Sequence, residues 1–148
     1  MAISYELHAE SAEAPARVFD VVVDLSRWDP FMGVRIHGPQ RGVAIGDRVE
    51  VGLRVANLDI VCAFFVDAVQ PPADGRVGRV TMGAVEGPVV GTVAGSVVGT
   101  PNGGSLLTVA VEGQGRGPVR LVERPLTVIL SKWAVHQTRH ILALATAR

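Results

Sequence analysis

"GAVEGPVVGTVAGSVVGT", residues 83–100, places a glycine at every fourth position: Gly83, Gly87, Gly91, Gly95 and Gly99. Read as a helix, this is the small-xxx-small ridge of a membrane span. A span needs about 20 mainly apolar residues, and residues 80–99 have that length. They also hold Glu86 and Pro88 near the middle, seven valines, two threonines and no leucine. That is strand chemistry, and each glycine would weaken a water-soluble helix by roughly 1 kcal/mol. "EGP" therefore reads as a turn between two strands, about 77–85 and 89–100. Side chains alternate along a strand, so a spacing of four keeps the glycines on one face. In the second strand Gly91, Val93, Gly95, Val97 and Gly99 share a side. A face stripped of side chains suits close approach by another backbone, a helix or a ligand. This segment alone leaves strand coiling, close helix packing and a ligand cavity equally open.

The neighbouring segments decide between them. "ISYELHAE" alternates Ile3, Tyr5, Leu7 and Ala9 with polar residues, the pattern of a half-buried strand. The following "SAEAPARVFDVVVDLSRWDPF" switches to helical spacing. Pro15 suits a first turn, Val18, Phe19, Val22 and Val23 form a stripe, and a second short helix carries Leu25 and Trp28 up to Pro30. Then come a short strand, a Gly/Pro loop, a strand alternating through Val49, Val51, Leu53 and Val55, and the apolar run "LDIVCAFFVDAV" ended by "PPADG". The glycine-rich pair and "SLLTVAVEG" follow. From Pro118 onward the pattern is helical over roughly 30 residues, long for a globular helix. Its stripe runs Val122, Leu126, Ile129, Leu130, Trp133, Ile141 and Leu144, with a kink expected at Pro125 in the second turn. The order is strand, two helices, six strands, long helix. An α+β fold follows, with a seven-stranded, curved, antiparallel sheet around one C-terminal helix. A curved sheet gripping a helix encloses volume, and this favours the cavity reading.

The chain has 148 residues, 48% of them apolar, with 14 basic and 14 acidic side chains. A single domain over 1–148 with a sizeable core is expected. The charges form no basic block, which argues against nucleic-acid and anionic-membrane partners. Zero net charge does little to keep molecules apart, so a homodimer is admissible. "MAISYELHAE" lacks the cationic start and apolar run of a signal peptide, and a cytoplasmic location is the default expectation. The one cysteine, Cys62, forms no internal disulfide and reads as a small buried hydrophobe.

The element order and the short signature formed by Pro15, Val18, Phe19, Asp24, Trp28, Pro30 and Phe31 resemble the START-like or SRPBCC superfamily, the helix-grip fold. The resemblance spans essentially the whole chain. It implies a pocket between sheet and C-terminal helix that takes a hydrophobic small molecule without a cofactor, as in polyketide cyclase/dehydratases and in lipid-binding members. It also puts Trp28 where the cyclases carry a tryptophan near the pocket mouth. This chain has one tyrosine, Tyr5, and few other aromatic residues.

On the long helix, Trp133, Gln137, His140 and Ile141 fall on or beside the apolar stripe. His140 is the candidate general base or proton shuttle, and Gln137 would orient a substrate carbonyl. The bland alternative is that both bond the sheet or sit at the helix's wet edge. Arg54, sharing a strand face with Arg48 and Glu50, would stabilise an enolate if that face looked inward. If it looks outward, the three form solvated pairs of little worth. Trp28, Phe31, Trp133, His136, Met82 and Gly95 complete the expected lining. His136 and His140 are one turn apart, but no third ligand accompanies them and no metal site is expected. The glycines form no phosphate loop and the serines no nucleophile elbow. Two functions remain open: a cofactor-independent cyclase or dehydratase of the polyketide type, and a carrier or sensor that holds a lipid, pigment or polyketide unchanged.

Overall fold

The computed structural model describes residues 3–28 and 32–147. The strands are β1 (Ile3–Ser11), β2 (Arg35–His37), β3 (Arg48–Val55), β4 (Leu58–Gln70), β5 (Gly78–Ala84), β6 (Val89–Gly99) and β7 (Ser105–Gly115). Between β1 and β2 lie the helix α1 (Pro15–Val22) and a 3-10 turn at Leu25–Arg27. A second 3-10 turn, Gly117–Val122, leads into α2 (Glu123–Thr146). The seven strands form one antiparallel sheet in the order β1-β7-β6-β5-β4-β3-β2. The antiparallel meander from β2 to β7 matches the expectation from the sequence; the return of β1 to pair with β7 is added by the structure.

Two local expectations need correction. The long helix becomes α-helical only at Glu123, so Pro125 lies in its first turn, where its missing N–H has no partner to lose. The expected second helix is a three-residue 3-10 turn capped by the Asp24 carboxylate, which accepts from the Ser26 N–H at 3.1 Å; Trp28 closes it as C-cap.

The inward face of the sheet carries the odd-numbered residues of β1, β3, β6 and β7 and the even-numbered ones of β5. In β4 the even residues face inward up to Val66, where a bulge shifts the register against β5. The core divides along α2. Ile3, Leu53, Ile60 and Leu126 pack around the helix's N-terminal half. Val18, Phe19, Val97, Leu107 and Ile141 pack α1 against its C-terminal half. Arg17 on α1 donates to the carbonyls of Ala145 and Ala147, a cation placed at the negative end of the helix dipole. Among the described residues no helix is long and apolar enough to cross a membrane.

The glycines of the opening stretch divide by position. Gly91, Gly95 and Gly99 share the inward face of β6, as the spacing predicts. Gly83 lies on β5 opposite Thr92 and faces outward, and Gly87 occupies the turn with φ +102°. The turn breaks the alternation, so a period of four carries no facial meaning across it.

Candidate functional site

Each inward glycine of β6 answers to a different neighbour. Gly91 pairs with Gly113 on β7, and a methyl at Gly91 would run into the Glu112 carbonyl and Gly113 Cα. The two backbones approach where neither carries a side chain. At Gly99 a methyl would make only an ordinary contact with Pro15 of α1 at 3.5 Å, so the helix packs over this position with room to spare. At Gly95 a methyl would lie 3.3 Å from Val80 and 3.9 Å from Val22, inside a chamber.

Two chambers lie between the sheet and α2. Chamber A, about 80 Å³, lies under the C-terminal half of α2 and is walled by Val22, Leu25, Val49, Val80, Gly95 and Ile141, among others. Chamber B, about 110 Å³, lies under the N-terminal half, among Tyr5, Leu53, Cys62, Phe64, Gly91 and Leu130. Trp28, Met82, Val93, Val109, Trp133 and Ala134 border both. Outside them, β2, the first 3-10 turn and α2 frame a more open vestibule of about 220 Å³.

Polar side chains in the walls are few. Gln137 is 3% exposed and borders chamber A and the vestibule. The Thr138 hydroxyl donates to the Ala134 carbonyl at 2.8 Å. In chamber B the Tyr5 hydroxyl donates to the Leu130 carbonyl at 3.3 Å, and burial pushes its pKa up to about 12. Burial also raises the Cys62 thiol, against a smaller lowering by a hydrogen bond from the Val89 backbone. Glu112 adjoins chamber B, but the alternation of β7 puts its side chain on the outer face.

Of the residues expected at the site, Trp28, Trp133, Gln137, Met82 and Gly95 surround chamber A, and the first two and Met82 also border chamber B. Phe31 lies outside the described residues. His136 is half-buried and borders neither chamber. His140 also lies off both: its Nε2 sits 3.0 Å from the Arg27 carbonyl, tying α2 to the 3-10 turn that carries Trp28. Arg54 is on the outer face, its side chain 65% exposed and 3.7 Å from Asp59, while Arg48 and Glu50 pair at 2.7 Å. The solvated reading of that strand face is the correct one. Among the described residues, no three His, Cys, Asp or Glu side chains gather where one metal could bind them. Tyr5, Cys62 and Thr138 were not expected in the lining. The alternation of β1 and β4 already put Tyr5 and Cys62 on the inward face.

No protein-family model and no curated protein matches the chain. Solved structures do. The aromatase/cyclase ZhuI from Streptomyces sp. R1128 superposes with a TM-score of 0.71 at 17% identity, covering 98% of this chain and 94% of that one. This is the helix-grip fold. Two plant proteins share the helix grip. Norcoclaurine synthase from Thalictrum flavum, solved with a transition-state analogue, gives a TM-score of 0.63 at 16% identity over 98% of this chain and 94% of that one. Major latex-like protein 151 from Panax ginseng gives 0.57 at 13% identity, covering 98% and 99%.

Proposed function

We propose that this protein binds an uncharged hydrophobic small molecule between its sheet and α2. One observation carries the reading: two chambers walled by valine, leucine, isoleucine, methionine and tryptophan, with no charged side chain among the described residues pointing into either. An ionised group buried there without a partner would be prohibitively costly. Any charged end of the ligand therefore stays in the vestibule.

Holding the molecule is favoured over transforming it. A general base needs a pKa near the working pH. Tyr5 and Cys62 are both shifted upward and stay protonated at neutral pH, and Gln137 and Thr138 do not titrate. The second reading is a cofactor-independent cyclase or dehydratase of the polyketide type. It is favoured by Gln137, whose buried amide on the wall of chamber A would orient a carbonyl, and by the likeness in shape to an aromatase/cyclase. There the walls would act mainly by restricting the chain's conformations.

Native mass spectrometry of freshly purified protein tests both. A neutral guest released unchanged after long incubation is the expected result. A product lighter by one water, formed from a poly-β-ketone analogue, favours the second reading. If no guest is found and the protein takes up no neutral arene in solution, the proposal fails.

A further inference from the structure

Chamber A, chamber B and the vestibule meet at one pair of side chains. Among the described residues, Trp28 and Trp133 are the only ones that border all three. Their ring centroids are 5.5 Å apart with planes tilted by 45°. The chambers are strung along α2, B beneath Leu126 and Leu130 and A beneath Gln137 and Ile141, with Trp133 between them. From Leu126 to Ile141 the helix rises about 22 Å.

Neither chamber alone accommodates much. A cavity that holds benzene measures about 150 Å³, and sites that bury drug-sized ligands run roughly 300–1,000 Å³. Chambers of about 80 and 110 Å³ fall below both. They become useful only when joined to each other and to the vestibule, and the tryptophan pair stands at that junction.

We infer that the two chambers are one ligand site in its closed form, that Trp28 is the gate, and that the ligand is an uncharged, elongated molecule. Its length is at least two ring units or an equivalent chain, with one segment in each chamber and its waist against Met82, Val93 and Val109. This rests on the reading that the interior holds a ligand. Trp28 is the member of the pair that can move. It caps a three-residue turn, is half-buried, and its indole N–H donates to the Val22 carbonyl at 3.2 Å. Trp133 rides in the middle of a 24-residue helix whose backbone fixes it. Swinging Trp28 outward gives up that hydrogen bond and the ring contact and leaves the sheet intact. The His140 bond to Arg27 then acts as the anchor of the gate's frame.

The chain has two tryptophans, so both indole N–H resonances report on the gate. The probes are N-phenyl-1-naphthylamine, neutral and two ring units long, and toluene, a single ring too short to reach from one chamber into the other. Trp28→Ala opens the gate, and Trp28→Phe keeps an aromatic wall without the hydrogen bond in case the alanine variant does not fold. N-phenyl-1-naphthylamine should shift the Trp28 resonance away from its hydrogen-bonded position, while toluene at saturation leaves it in place. Association of the long probe should plateau with concentration in the wild type. It should be at least about tenfold faster in Trp28→Ala and a few-fold faster in Trp28→Phe. Binding with an unmoved Trp28 resonance and equal association rates overturns the gate and leaves the ligand reading standing. Uptake of neither probe by wild type or variants removes the ligand reading and the gate together.

Discussion

Alanine at Gly91 and alanine at Gly95 should have opposite consequences, though the two glycines sit on one face of one strand. At Gly91 the new methyl would lie 2.5 Å from Gly113 Cα and closer still to the Glu112 carbonyl oxygen. Both obstacles are main chain, in the paired centre of the sheet, so β6 and β7 must separate locally. Overpacking of this kind costs about 1–3 kcal/mol, and rigid backbone on the far side puts this site at the upper end. Removing a glycine from a strand returns only about 0.5–1 kcal/mol. The net expectation for Gly91→Ala is a loss of about 2 kcal/mol or more, a fall in Tm of roughly 4–8 °C at this chain length. At Gly95 the methyl meets the tip of Val80 at 3.3 Å, a side chain facing a chamber with room to give. One buried methyl contributes about 0.8 kcal/mol, so Gly95→Ala should melt within about 3 °C of the wild type. It should instead weaken binding of a neutral arene, by about tenfold where the arene occupies chamber A, because a filled wall meets the guest. Differential scanning calorimetry and a fluorescence titration of the same two variants decide the matter. If Gly91→Ala melts with the wild type, or Gly95→Ala is the less stable of the two, the close approach of β6 and β7 is wrong.

Tyr5 is the chain's one tyrosine, so tyrosinate absorbance reads it directly. Its folded pKa of about 12 lies above the ordinary value of 10.0, so its contribution is complete below pH 10 and is lost as pH rises through 12. That is about 3 kcal/mol of alkaline stability. Tyr5→Phe should flatten the fall in Tm above pH 10; an unchanged slope refutes the assignment. His140→Ala removes one partly exposed hydrogen bond to Arg27 and should lower Tm by roughly 3 °C. On any substrate the protein turns over, the rate should change by no more than a few-fold, whereas loss of a general base would cost about a hundredfold or more. Ala56 holds φ +49° beside Asn57 at +67° in the two-residue turn between β3 and β4. Ala56→Gly should therefore raise stability by about 0.5–1 kcal/mol in chemical denaturation; a loss would mean the turn is unstrained.

What the sequence made legible was whatever depends on a local period. Alternation through Ile3–Ala9 and Val49–Val55, and the change to helical spacing after Gly115, placed the strands and α2 within a few residues. The meander from β2 to β7 then followed from short turns, whereas the pairing of β1 with β7 joins the two ends of the chain and no turn announces it. What stayed hidden depends on which groups meet across the fold. Gly91 and Gly95 look identical along the chain; one faces the backbone of β7 and the other the tips of valines, and only tertiary placement separates them. His140 and Gln137 lie one turn apart at the margin of a broad stripe. A rotation of one position decides whether a side chain meets the chamber or the 3-10 turn, and periodicity does not resolve such a rotation. Arg54 could be assigned outward from alternation against Val55 and Leu53, and so it is found. Tyr5 falls on the apolar face of the alternating strand β1, and that position is what places a phenol in the wall of chamber B.

The two chambers have a mechanical consequence. Space that no side chain fills, and whose apolar walls offer water too few partners, is surrendered when the chain unfolds. The native state is therefore the bulkier one, and hydrostatic compression should work against it more than against a fully packed domain of equal length. A guest that fits would remove that weakness, so the shift of the midpoint pressure on adding a candidate compound measures how completely the compound occupies the interior.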